Sequence, residues 1–225
     1  MSKNKNNEDD ALKNVETALG RTEQFIEENQ KMLTIIVLAL VLIVGGYWAY
    51  KQLYILPLNK EAQKQAYTAQ LNFEHDDFQL ALDGDGVNPG FLEIMDEYSA
   101  TKVGKLSRYY AGISYLHLGE FENAIETLKK FRSKDQELAT ISAGAIGDCY
   151  LELDNKEEAL VWYAKAVSFE NLLTAPFYLL KQGVLFEQTG QNQKALEAYQ
   201  TIKDQYKNSN EARQIDKYIT RVSLK

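Results

Sequence analysis

The chain has 225 residues, 45% of them hydrophobic, and a formal net charge of −7. This acidic balance argues against a nucleic-acid-binding protein, which needs clustered Lys and Arg to neutralise phosphates. A single cysteine, Cys149, excludes an internal disulfide and a cysteine-based zinc site. Two histidines, His75 and His117, leave little for metal binding or histidine catalysis. Few prolines and many Ala, Leu, Glu, Lys and Gln predict a mostly helical chain.

Residues 1–31 form a polar, acidic N-terminal tail. From residue 8 onward apolar side chains recur at steps of three and four, which predicts a short amphipathic helix. This helix is either a solvated lead-in to the next segment or a docking helix for a membrane partner or the headgroup layer. The positions that define it are Leu12, Val15, Leu19, Thr22 and Ile26.

An uncharged stretch, LTIIVLALVLIVGGYWAY, then occupies residues 33–50. As a helix it covers about 27 Å, close to the roughly 30 Å hydrocarbon core of a bilayer. No small-residue cleavage site follows Tyr50, so we expect a retained transmembrane helix over residues 32–56 rather than a signal peptide or a buried core helix. Flanking charges do not set its orientation. Pro57 is expected to end or bend this helix. The side chains expected in the bilayer are Leu33, Ile36, Leu40, Ile43, Trp48 and Tyr50.

Residues 57–225 carry helical patterns that repeat every 34–36 residues, which predicts an all-α helix–turn–helix solenoid. We expect three repeats at about 105–139, 140–175 and 176–209, with a capping helix at 210–225. Residues 60–104 are expected to form an irregular first hairpin, interrupted by the loop 83–90.

Each repeat places a small residue, an aromatic residue three later and a small residue on the second helix. The glycines are expected where helices cross closely, with the alanines as their contacts. The three sets are Gly112, Tyr115 and Ala124; Gly147, Tyr150 and Ala159; and Gly183, Phe186 and Ala195.

This spacing resembles the tetratricopeptide repeat. The sequence departs from that pattern where the repeat usually has an early Trp, since Arg108, Ala143 and Leu179 stand there. The Pro that normally closes a repeat is missing at Gln136 and Asn171.

No residue pattern predicts an enzyme or a cofactor. The DGDGVN sequence from Asp83 fails the calcium-loop pattern, because Val87 and Asn88 stand where a ligand and a glycine are needed. Cys149 is expected to be a buried core thiol. The sequence shows no combination of a nucleophile with a base and no set of metal ligands.

Tetratricopeptide arrays usually bind a peptide or helix in a concave groove lined by first-helix residues. An apolar or basic segment suits the residues expected there, whereas a carboxylate clamp would need Lys and Asn. The alternative is that several of these residues pack under the C-terminal helix. The expected groove residues are Tyr109, Ile113, His117, Asp148, Glu152, Leu180, Val184, Glu187 and Gln188.

The layout of tail, uncleaved span and solenoid resembles the YfgM-type membrane-anchored tetratricopeptide repeat proteins, Bacteroidetes branch. The resemblance is most specific over residues 71–128, with further matching phrases at 144–153 and 215–221. It implies a single-pass protein of the bacterial inner membrane, with a cytoplasmic N-terminus and a periplasmic C-terminal domain. It also implies an accessory of the SecYEG translocon, acting on emerging polypeptides with a PpiD-like membrane-anchored periplasmic chaperone.

Two other functions fit the same sequence. One is an envelope scaffold unrelated to secretion, in cell division or outer-membrane assembly. The other is a regulator that senses a cytosolic partner through residues 1–31.

Overall fold

The computed structural model describes residues 25–224, which divide into two compact units with the boundary between Leu56 and Pro57 in the chain. In the first unit, helix α1 (Gln30–Tyr50) leads into a π-helical turn at Lys51–Ile55. Within the described residues, one helical stretch, the one that starts at Gln30, is long and apolar enough to cross a membrane. The predicted amphipathic helix of residues 8–31 lies largely outside the described residues.

The large apolar side chains of α1 are not buried by the protein. Ile36, Leu40, Ile43, Trp48 and Tyr50 are between 47% and 67% exposed, and no residue of α1 is buried. Exposed apolar surface of this extent is costly in water and stable in hydrocarbon. The composition of α1 therefore matches that of a lipid-facing helix.

The all-α prediction is confirmed, since the described part of the second unit contains helices and one isolated bridge, Gly84–Pro89. The helices are α2 (Leu56–Glu74), α3 (Phe78–Asp83), α4 (Phe91–Glu97), α5 (Lys102–His117), α6 (Phe121–Lys130), α7 (Gln136–Glu152), α8 (Lys156–Val167), α9 (Ala175–Gln188), α10 (Asn192–Gln205) and α11 (Ile215–Ser223).

Helices pack as successive pairs: α5 with α6, α7 with α8, and α9 with α10. Each pair also contacts the next, through α6 with α7 and α8 with α9, and α11 packs on α10. Such pairs cannot bury their apolar faces alone, so stacking supplies the core.

The turn inside each pair has one geometry. Its second residue has a positive φ: 78° at Gly119, 55° at Asp154 and 75° at Gly190. The next residue then donates its backbone N–H to a carbonyl five residues back, as in a Schellman cap. These bonds are Glu120 to Tyr115 at 2.9 Å, Asn155 to Tyr150 at 2.8 Å and Gln191 to Phe186 at 2.8 Å.

The first hairpin uses the same turn. Asp76 has a φ of 62°, and Asp77 N–H donates to the carbonyl of Asn72 at 2.8 Å. The helix after this turn, α3, ends at Asp83, and the chain resumes a helix only at Phe91. The hairpin therefore has a regular turn and an interrupted second helix.

The repeated glycines lie in helices, but the nearest contact of each differs from the one expected; at Gly147 the expected alanine also contributes, since an added Cβ would lie 3.3 Å from the carbonyl oxygen of Ala159. A Cβ on Gly147 would lie 2.6 Å from Cδ1 of Tyr163, and one on Gly183 would lie 2.4 Å from Cε1 of Tyr199. In the first repeat the same atom on Gly112 would lie 2.5 Å from Cγ of Leu128. The residue over each glycine is thus one helical turn beyond the expected alanine. Those alanines, Ala124, Ala159 and Ala195, are fully buried.

Pro57 does not end the helix. It is the second residue of α2 and lies within one helical stretch that runs from Gln30 to Glu74. The π-helical turn directly before it changes the backbone hydrogen-bonding pattern and accommodates the ring. The expectation of a helix end at this proline is therefore wrong, and the alternative, a bend, stays a prediction.

Candidate functional site

A groove of about 710 Å³ runs across the first helices of the three repeats. This volume lies within the range of about 300–1,000 Å³ typical of ligand pockets. Apolar side chains make up most of its wall. The lining residues are Leu116, His117, Gly119, Phe121, Asp148, Leu151, Glu152, Tyr163, Phe177, Leu180, Lys181, Val184, Leu185, Gln188 and Tyr218.

Helix periodicity explains how α9 forms one wall. Leu180, Val184 and Gln188 are spaced by four residues, which places them on one face. Asp148 and Glu152 have the same spacing on α7. Together with His117, these are the predicted residues that line the groove.

Three predicted residues lie elsewhere. Tyr109 and Ile113 belong to the packed cluster between α5, α6 and α7, and the Tyr109 ring lies 5.5 Å from that of Phe131. Burial raises the pKa of Tyr109 to about 12. Glu187 faces the C-terminal helix instead.

The centre of the groove holds a charge pair that joins two repeats. Lys181 Nζ of α9 donates to both carboxylate oxygens of Asp148 on α7, at 2.7 and 2.8 Å. Tyr163 Oη donates to the same carboxylate at 2.6 Å. Burial and the neighbouring carboxylate raise the pKa of Tyr163, so its hydroxyl keeps the proton that it donates.

Aromatic rings surround the ammonium group of this pair. Lys181 Nζ lies 4.8 Å from the ring centroid of Phe177, and 5.9 Å from those of Tyr163 and Tyr178. Cation–π attraction and the ion pair hold the lysine in the wall. Asp148 is therefore neutralised within the protein and offers little to a basic ligand.

A second pair fixes the C-terminal helix. Arg221 of α11 donates from Nε to Glu187 Oε1 at 2.9 Å and from Nη2 to Oε2 at 2.6 Å. Tyr199 Oη donates to Oε2 at 3.2 Å. The Glu187 side chain is 6% exposed and that of Arg221 is 49% exposed. Hydrogen bonding to the carboxylate raises the pKa of Arg221. Glu187 therefore packs under the C-terminal helix, which was the alternative expected for some of the groove residues.

His117, the last residue of α5, also lines the groove. Its ring stacks on Phe78 of α3, with ring centroids 4.3 Å apart and an interplanar angle of 5°. The stacking orients the imidazole ring. Among the described residues, no group of three His, Cys, Asp or Glu side chains could hold a metal ion.

The surroundings of Cys149 and Asp85, two further residues with functional potential, indicate structural roles. Burial raises the pKa of the Cys149 thiol to about 12, so the thiolate is rare at neutral pH. Asp85 of the 83–90 loop accepts hydrogen bonds from the backbone of Asn88 and Val87, at 2.6 and 2.9 Å. These bonds, with that of the Asn88 side chain, lower the pKa of Asp85 to about 2. Its carboxylate thus holds the loop together.

Sequence reasoning missed Lys181, Phe177, Leu151 and Tyr218. One signal could have found the lysine: the two inter-repeat pairs join residues 33 and 34 apart, about one repeat length. Opposite charges at that spacing on first helices predict contact between stacked repeats. Tyr218 lines the groove because of where α11 packs, and the repeat pattern does not predict that position.

The helix pairs of this chain are similar to a repeat found in known proteins. A family model of the tetratricopeptide repeat matches residues 106–136 and 178–209. The chain contains tetratricopeptide repeats. The two matched ranges cover α5–α6 and α9–α10, and the α7–α8 pair between them has the same turn and glycine contact.

No curated protein matches the sequence. Among solved structures, a crystal structure of MamA aligns with 19% identity and a TM-score of 0.44. The alignment covers 60% of this chain and 84% of that chain.

Proposed function

We propose that this tetratricopeptide repeat protein is a non-enzymatic, membrane-anchored scaffold that docks segments of other proteins in its groove. The observation that carries the proposal is the groove itself, which spans three stacked repeats and is walled mainly by apolar side chains. The exposed apolar face of α1 supports the membrane anchor.

The chemistry of the groove favours an apolar ligand over a basic one. Its central carboxylate, Asp148, is already bound by Lys181 and Tyr163. Leu180, Val184 and Leu151 remain as wall residues for apolar side chains. Burial of such groups on binding contributes about 25 cal/mol per Å² of apolar surface.

The partners that we propose are the SecYEG translocon and a PpiD-like periplasmic chaperone, with emerging polypeptides as the groove ligand. This part rests on the sequence resemblance over residues 71–128. A tether in the inner membrane, with the N-terminus cytoplasmic and residues 57–225 periplasmic, would raise the local concentration of groove and chaperone around an emerging chain.

Affinity purification of the full chain from mildly solubilised membranes tests these partners. Translocon subunits and the chaperone are expected to co-purify with it, and external protease is expected to digest residues 57–225 in intact spheroplasts. Good recovery of the protein with neither the translocon nor the chaperone would contradict the secretion role. Recovery of division or outer-membrane assembly proteins instead would identify an envelope scaffold.

A further inference from the structure

A second cleft, of about 210 Å³, lies between the α6–α7 connection and α8 and shares no lining residue with the groove. We call it the cationic cleft, and it is defined by Lys129, Arg132 and Lys165 around Trp162. It is independent of the proposed function, because none of its residues contributes to the groove.

Two of the three cations lie over one indole ring. Lys165 Nζ lies 4.2 Å from the ring centroid of Trp162, and Lys129 Nζ lies 5.5 Å from it. Lys129 Nζ also donates to Tyr150 Oη at 2.7 Å. These contacts place both ammonium groups at the Trp162 ring.

Backbone carbonyls hold the third cation. Arg132 Nη1 donates to the carbonyl of Phe131 at 2.8 Å and to that of Lys129. Both bonds use Nη1, so Nε and Nη2 have no acceptor within residues 25–224 and can meet a ligand. A guanidinium fixed in this way is pre-organised for an oxyanion.

No carboxylate compensates this charge within the described residues. No Asp or Glu lines the cleft, and none of the three cations belongs to an ion pair in residues 25–224. Burial, with repulsion from Arg132 and Lys129, lowers the pKa of Lys165. Clustered cations are a costly arrangement that a bound anion would relieve, and they stand out in a chain of net charge −7.

The size of the cleft limits the ligand to a compact group. A volume of about 210 Å³ equals about seven water molecules at roughly 30 Å³ each. It is too small for a helix or a drug-sized molecule. Three cations suit a doubly charged anion better than a single carboxylate, and Trp162 offers an apolar wall to whatever carries it.

We propose that the cationic cleft binds a phosphate group, either as free phosphate or as the phosphate monoester of a lipid headgroup. Lys129 and Lys165 supply point charges, and Arg132 supplies the planar fork. A long polyanion such as a nucleic acid is disfavoured, because the rest of the chain is acidic.

Tryptophan fluorescence of the full chain in neutral detergent tests this site. The only other tryptophan is Trp48, so a Trp48→Phe background makes Trp162 the sole reporter. Titration with inorganic phosphate at constant ionic strength is expected to give a saturable change. Arg132→Gln and Lys165→Gln are each expected to weaken binding at least tenfold. Lys207→Gln, an exposed lysine outside the cleft, serves as the matched control and is expected to leave it unchanged.

Nanodiscs distinguish the two sources of phosphate. With no phosphate in solution, the same Trp162 change in discs containing phosphatidic acid, but not in phosphatidylcholine discs, assigns the lipid headgroup. A response to inorganic phosphate alone assigns the free anion. The proposal is overturned if neither probe gives a saturable change, if acetate acts as well as phosphate, or if Lys207→Gln weakens binding as much as Arg132→Gln.

Discussion

Replacing Gly147 with valine is expected to lower the melting temperature of the repeat domain by about 6–12 °C. The first added carbon would lie 2.6 Å from the Tyr163 ring, and Tyr163 is fully buried. Because this separation is far below van der Waals contact, we expect the upper end of the usual overpacking cost, about 3 kcal/mol, and a domain of this size loses about 2–4 °C per kcal/mol. Thermal unfolding of the full chain in detergent, followed by circular dichroism at the helix signal, measures the shift.

Two comparison variants separate packing from helix propensity. Ala164→Val places the same side chain at an exposed position of α8 and is expected to change stability by less than about 0.5 kcal/mol. Gly112→Val is expected to cost less than Gly147→Val, since the flexible Leu128 side chain stands where the other repeats have a tyrosine. A Gly147→Val protein that melts within about 2 °C of the wild type would show that the close crossing does not support the fold.

Replacing Arg221 with methionine is expected to destabilise the C-terminal helix by about 2 kcal/mol. The Glu187 side chain is 6% exposed, and its carboxylate would lose both guanidinium hydrogen bonds. Removing one member of a buried pair costs about 3–5 kcal/mol, and the half-exposed arginine reduces that figure here. Amide hydrogen exchange over α11 is expected to become faster, while exchange in α7 stays the same.

A neighbouring ion pair serves as the control. Lys203 Nζ contacts Asp216 Oδ1 at 2.7 Å and also joins α10 to α11, but both side chains are more than half exposed. Lys203→Met is therefore expected to leave exchange over α11 unchanged. Adding Glu187→Leu to Arg221→Met should restore much of the lost stability, because no buried charge then remains. If Lys203→Met has the larger effect, burial of Glu187 is not what fixes the helix.

The repeat pattern predicts the helix pairs because two physical requirements recur in it. Close crossing needs a residue without a side chain at Gly112, Gly147 and Gly183, and the turn needs a residue that tolerates a positive φ. Both requirements appear in the sequence at a spacing of 35 or 36 residues. The residue packed over each glycine lies 16 positions later in all three repeats, so this contact was also available from the sequence.

The groove was harder to predict because its composition depends on contacts between repeats. Tyr109 and Ile113 were expected in it by analogy with regular repeats. The first hairpin is irregular, with the short α3 ending at Asp83, and in this part of the fold Phe78 stacks on His117. Tyr109 packs towards Phe131 instead. The partner of Asp148 likewise depends on how α9 stacks on α7. Residue spacing within one repeat does not predict this stacking.

Site-specific photocrosslinking in intact cells tests most directly whether the groove is where protein partners dock. A photoreactive residue at Val184 lies in the groove wall, and the same residue at Val161 lies on α8 outside it, where the native side chain is 60% exposed. The account predicts abundant crosslinks to polypeptides from position 184 and only background from position 161. Equal yields from the two positions, or none from position 184, would contradict it.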